Sequence, residues 1–102
     1  MKLLFVTAIK EETKQVADIF KKANIHVYSA TDTIGFKDGQ HPNLIDNWFS
    51  SGDEKFDSIF LFSFTGEENV EIALKLFNDY NQQANTGFPI RAFVLPVEKA
   101  TF

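Results

Sequence analysis

Asp57-Ser58-Ile59-Phe60-Leu61-Phe62-Ser63-Phe64-Thr65-Gly66-Glu67-Glu68 places a strand-like run directly before the start of a helix. Residues 57–64 are dominated by aromatic and apolar side chains, and period-2 geometry projects Phe60, Phe62 and Phe64 to one side. Thr65-Gly66-Glu67-Glu68 matches the capping-box pattern, in which a Thr hydroxyl and a Glu carboxylate satisfy each other's orphan amides. That pattern predicts a helix over 67–81. Val70, Ala73, Leu74 and Phe77 then form a buried stripe at helical spacing, widened by Ile72, Leu76 and Tyr80.

Upstream of this run lies a polar, Gly-punctuated connection from Gly35 to Phe56, opening Ile34-Gly35-Phe36-Lys37-Asp38-Gly39-Gln40-His41. Compact domains seldom keep more than about 12–15 residues without regular structure unless the segment has a task or is disordered. Within it, Pro42 suits a first helical turn, and Leu44, Ile45, Trp48 and Phe49 predict a short amphipathic helix ended by Ser51-Gly52-Asp53. Trp48 and Phe49 are either a lid on the domain's own core or a docking patch for a partner.

Further back, residues 3–9 are apolar at nearly every position and read as a strand covered on both faces. Residues 11–23 switch to helical spacing through Val16, Ile19, Phe20 and Ala23. Glu11-Glu12 at its start and Lys21-Lys22 at its end suit the helix dipole, and Asn24 is the expected stop. Residues 26–34 alternate loosely and predict a strand with one exposed face. At the other end, residues 81–89 carry turn chemistry, and 90–95 form a last strand that Pro96 ends or leaves on an edge.

The order is strand, helix, strand, long loop, strand, helix, strand. A shift of 56 positions also lays Glu11-Glu12 on Glu67-Glu68, Val16-Ala17 on Ile72-Ala73 and Phe20 on Leu76. Together these predict an α+β fold over residues 1–102: a ferredoxin-like split βαβ sandwich (βαββαβ), with a four-stranded antiparallel sheet and two helices on one face. Two apolar strands then leave the second sheet face greasy. Either the sheets of several subunits meet there, or a ligand such as a stacked base covers it.

The chain has 102 residues, no Cys and a net charge of −4. Without Cys there is neither a disulfide framework nor a thiolate metal site. The apolar run after Lys2 meets charge by Lys10, too early for a secretory leader, so a cytoplasmic protein is expected. The acidic balance, with a pI near 5.0, opposes capture of nucleic acid. An RNA-recognition strand would need a Lys/Arg-Gly opening that residues 57–64 lack.

Catalysis finds no constellation either. Glu11-Glu12 and Glu67-Glu68 are explained by helix starts. No serine has a GxSxG context or a histidine at motif spacing. Thr7-Ala8-Ile9-Lys10 lacks the Gly and Arg of an acylphosphatase loop. The chain is therefore expected not to be an enzyme, with no covalently bound cofactor. His41, near Asp38 and Asp46, is the one candidate metal ligand, against the plainer reading of a solvated loop histidine. His26 reads as a polar strand-edge residue.

The chain resembles the PII-like superfamily of small trimeric signalling proteins, which includes the nitrogen regulatory PII proteins and, more distantly, the CutA proteins. The likeness rests on Thr33-Ile34-Gly35-Phe36-Lys37 with Gln40 nearby, and on Arg91-Ala92-Phe93-Val94-Leu95-Pro96-Val97. It implies a homotrimer with inward-facing sheets and effector clefts between subunits, the loop after the second strand serving as output element. By position it assigns Gly35, Phe36, Lys37 and Gln40 to the loop base, Thr86 and Gly87 to a phosphate-side loop, and Arg91 and Lys99 to basic contacts. The implied function is regulatory: a nucleotide-type anion or metal ion binds in the clefts, and residues 36–55 relay occupancy to a partner such as a membrane transporter or an enzyme. The alternative is a CutA-like or heavy-metal-associated structural trimer that contacts a transporter and binds no nucleotide. The sequence departs from the family in having only Asn85-Thr86-Gly87-Phe88-Pro89 where a longer Gly-rich loop is expected, and no Tyr in the output loop.

Overall fold

The computed structural model describes residues 1–36, 55–85 and 87–101. Its elements are strand β1 (Lys2–Ile9), a 3-10 turn (Lys10–Glu12), helix α1 (Thr13–Lys22), strand β2 (Ser29–Phe36), strand β3 (Lys55–Thr65), helix α2 (Glu67–Ala84) and strand β4 (Arg91–Pro96). The strands form one sheet in the order β2-β3-β1-β4, antiparallel at every pairing. This is the expected ferredoxin-like split βαβ sandwich with two helices on one face. The short helix expected around Leu44, Ile45, Trp48 and Phe49 lies outside the described residues.

Alternation along the two central strands builds the core. Leu4, Val6 and Ala8 of β1 face the helices beside Ile59 and Leu61 of β3, meeting Val16, Ile19 and Phe20 of α1 and Val70, Ala73 and Phe77 of α2. The edge-to-face contact of Phe20 and Phe77, at 6.1 Å between ring centroids, joins the helices over the sheet. The intervening positions make the other face. There Phe64, Phe62 and Phe60 of β3 lie opposite Leu3, Phe5 and Thr7 of β1, which lie in turn opposite Leu95, Phe93 and Arg91 of β4. Phe5 meets Phe60 edge-on at 5.1 Å, and Phe62 meets Phe64 at 6.4 Å. The rim stays open, with Phe64 57%, Leu95 47% and Phe93 36% exposed.

Several boundaries differ from the sequence reading for identifiable reasons. The helix expected over 11–23 opens as the 3-10 turn, where the Thr13 hydroxyl donates to the Lys10 carbonyl at 2.6 Å. It closes as expected at Asn24, which is left-handed (φ 62°), with the Ile25 amide reaching back to the Phe20 carbonyl at 2.8 Å. β2 begins at Ser29, three residues later than expected. The preceding segment is held by the Ser63 hydroxyl, which donates to the Val27 carbonyl at 2.7 Å.

The capping box does not form. Thr65 is the last residue of β3, Gly66 is the N-cap with no side-chain cap bond, and the Thr65 hydroxyl instead accepts from Asn69 Nδ2 at 3.1 Å. The internal repeat is out of phase by one residue. A shift of 56 lays fully buried Val16 on Ile72, which is 46% exposed, whereas one position further lays it on buried Ala73, and Phe20 on buried Phe77. α2 runs three residues past the expected end, to Ala84, with left-handed Asn85 as its C-cap. Pro96 is the last residue of an edge strand, as expected.

Candidate functional site

The antiparallel order collects particular termini at one end of the sheet. Ile9 of β1, Phe36 of β2, Lys55 of β3 and Arg91 of β4 all lie there, so the connection through 37–54 and the connection into β4 open on the same side. Register then separates the candidate residues. Across one row run Thr31, Phe60, Thr7 and Arg91, and further out toward that end Gly35 pairs with Phe56. Gly35 and Arg91 therefore sit on opposite edges of the sheet, three strand spacings or about 14 Å apart across it.

The β2 edge carries a cleft of about 600 Å³ lined by Lys10, Asp32, Thr33, Ile34, Phe36, Asp57 and Ser58. Toward the open end of the β2–β3 pair, Ile34 is 50% and Phe36 63% exposed. Gly35 between them is buried. The Thr33 and Ser58 hydroxyls hydrogen-bond across the pair at 2.6 Å, with Ser58 buried. Lys10 Nζ lies 3.5 Å from Asp32 Oδ2. Both groups are solvated, so that ion pair contributes little to stability.

The β4 edge is built differently. After Ala84 the chain turns through left-handed Asn85 and left-handed Gly87 (φ 81°) to Pro89, around a recess of about 120 Å³ lined by Asn81, Ala84, Asn85, Gly87 and Pro89. Asn81 of α2 closes it. Its Nδ2 donates to the Ile90 carbonyl at 2.8 Å, and its Oδ1 accepts the Ile90 amide at 2.9 Å. One residue before it, the Tyr80 hydroxyl donates to Glu12 Oε2 at 2.6 Å, tying α2 to the 3-10 turn that follows β1. The bond to the Glu12 carboxylate holds the Tyr80 phenol above its ordinary pKa, and partial burial and the carboxylate's charge act the same way.

Of the residues expected from the sequence, Gly35 and Phe36 lie at the β2 edge and Gly87 and Arg91 at the β4 edge. Lys99 is exposed on the chain beyond Pro96, and Pro96 pairs with Lys2 at the far end of the sheet. Lys37, Gln40, His41, Trp48, Phe49 and Thr86 lie outside the described residues. Among the described residues no group of three or more His, Asp or Glu side chains is placed to hold a metal ion. His26 is exposed between α1 and β2, sharing a 2.7 Å hydrogen bond with Asn24 Oδ1.

The β2-edge residues Lys10, Asp32, Asp57 and Ser58, and Asn81 at the β4 edge, were not assigned to a site by the sequence, and Thr33 entered only as part of the run that carries the resemblance. Their grouping depends on strand register, which no spacing along the chain encodes. Asn81 alone left a signal, as a helix-end Asn followed nine residues later by a strand start. That signal is too general to act on.

Sheet order, helices on one face and the long connection from β2 to β3 define an α+β protein of the ferredoxin-like split βαβ class. Among solved structures the same arrangement occurs in PII-like signalling proteins, and this chain has the PII-like form of the fold. One match is CPII of Thiomonas intermedia, in a structure bound to ADP, AMP and acetate. It has TM-score 0.67 and 18% identity, over 91% of this chain and 81% of that one. A second is a Thermus thermophilus protein described as PII-like signalling, with TM-score 0.56 and 19% identity, over 92% of this chain and 83% of that one. No protein-family model matches the chain, and no curated protein matches it by sequence.

Proposed function

We propose that the chain is a regulatory PII-like protein that assembles as a homotrimer and binds an adenine-nucleotide-type anion in clefts between subunits. Occupancy is relayed through residues 36–55 to a partner protein. The observation that carries this reading is the division of the candidate residues between the two sheet edges at one end. A single copy keeps Gly35 and Phe36 about three strand spacings from Gly87 and Arg91. Setting the β2 edge of one copy beside the β4 edge of the next unites them in one cleft, with apolar Phe36 and Ile34 on one wall and Arg91 on the other. The apolar open face supplies a driving force for that association. The nucleotides carried by the similarly folded CPII support the ligand class.

In this reading the protein binds and signals and does not turn over its ligand. The effector's anionic group sits toward Arg91, where a guanidinium offers paired donors to phosphate or carboxylate. Lys37, Gln40 and Thr86 complete the cleft, and Trp48 and Phe49 form the partner's docking patch. Lys99 reaches the anion only from another copy, because its own strand delivers it to the far end of the sheet. Calorimetric titration of the purified protein with AMP, ADP, ATP, cyclic dinucleotides and divalent cations tests this. At least one nucleotide should bind, and Arg91→Ala should weaken it. A blank across the panel defeats the reading.

A further inference from the structure

β4 is an edge strand whose ladder to β1 begins only at Arg91, opposite Thr7. The residue before it, Ile90, is 2% exposed and precedes that ladder. Its backbone N–H and C=O would be buried without strand partners, which is costly. Both are taken instead by the side chain of Asn81, at 2.9 and 2.8 Å. A carboxamide offers one acceptor and one donor on the same planar group, which is the pair a neighbouring strand would present. The residue that leads into β4 is thus fixed to α2, one position ahead of the ladder to β1.

This fastening closes the segment that carries the β4-edge candidates. Residues 85–89 leave α2 at Asn85, whose amide also bonds to the Asn81 carbonyl at 3.2 Å. They pass Gly87 in the left-handed region and reach Pro89, which has no amide to donate. Both ends of the segment therefore meet at one residue, Asn81, by backbone at one end and side chain at the other.

We infer that Asn81 is a positioning residue for effector binding. It touches no ligand, but it holds Gly87 and Arg91 in the relation that an anion in the cleft requires. The inference rests on the effector reading above and is tested separately from it. Asn81→Leu keeps the branched shape and removes both side-chain bonds. Asn81→Asp keeps an acceptor for the Ile90 amide and loses the donor to its carbonyl.

Affinities for AMP, ADP, ATP and cyclic dinucleotides are measured by calorimetry on wild type and both variants, well below their unfolding temperatures. Amide hydrogen exchange of the free proteins is followed in parallel. With two hydrogen bonds removed, Asn81→Leu is expected to bind at least about tenfold more weakly. Its exchange should quicken over residues 87–91 while the rest of the sheet stays protected, and Asn81→Asp should fall between. Equal affinity of wild type and Asn81→Leu overturns the inference and leaves the effector reading standing. Exchange quickened throughout the sheet also overturns it, because Asn81 would then serve overall stability alone. A wild type that binds no member of the panel above overturns both.

Discussion

Phe64→Glu on the open sheet face separates self-association from folding. Among the described strand residues, Phe64 is the most exposed large side chain of that face, at 57%. Its loss therefore costs the isolated subunit least, chiefly the edge-on contact with Phe62 at 6.4 Å, worth about 1 kcal/mol. Covering its exposed part in an assembly removes much more from water. A phenylalanine carries on the order of 200 Å², so roughly 110 Å² would be buried per copy, contributing about 3 kcal/mol at ~25 cal/mol per Å². That is roughly a hundredfold in association constant for each copy, before the cost of desolvating the new carboxylate is added.

Sedimentation equilibrium from micromolar upward reads this directly, with circular dichroism to check that the subunit stays folded. Ile72→Glu is the control, because Ile72 is 46% exposed on the outer side of α2. The wild type and the control should sediment as trimers, and Phe64→Glu as a folded monomer. A trimeric Phe64→Glu, or a wild type that stays monomeric, refutes the argument that the apolar face is covered by copies of the chain.

Two further predictions concern the helix contacts. Tyr80→Phe removes the donor to Glu12, a residue only 8% exposed, and should cost about 1–2 kcal/mol in denaturant unfolding. The Tyr80 phenol is raised above its unfolded value of 10.0, so its contribution is complete below that pH and declines as pH rises through the folded value. Ultraviolet titration should show a late-ionising tyrosine in wild type that the variant lacks. At Asn24, left-handed with φ 62°, Gly removes the Cβ penalty and should raise stability by a few tenths of a kcal/mol, while Val should lower it by about 1–2 kcal/mol. Thermal unfolding distinguishes these, and a Val variant as stable as wild type would contradict the cap geometry.

Much of the fold was legible because the two central strands are near-continuous apolar runs and the two helices carry strong periodicity. Residues 3–9 read as a strand because nearly every position is apolar, and α1 spaces Val16, Ile19 and Phe20 as a core stripe. The errors fell where local chemistry had two outlets. Thr65 matched a cap motif but continued β3 for one more residue, and Gly66 took the cap at little conformational cost. The one-residue slip in the repeat arose because charged pairs were aligned in place of buried faces. The site was less legible. Gly35, Phe36, Gly87 and Arg91 were named through family resemblance, and their division between two sheet edges appears only once strand order and register are known. Asp32, Asp57 and Ser58 join the β2 cleft through pairing alone.

The most direct test of the intersubunit cleft is complementation between two binding-deficient variants. Phe36→Ala alters the β2 edge and Arg91→Ala the β4 edge. Co-expressed in equal amounts, they assemble at random, and about a quarter of the clefts then combine an intact β2 edge from one copy with an intact β4 edge from its neighbour. Calorimetry with AMP or ADP should find neither variant binding well alone, and the mixture recovering wild-type affinity at about that fraction of sites. A mixture no better than its components would mean that both edges must be intact in the same chain, which contradicts a cleft shared between subunits.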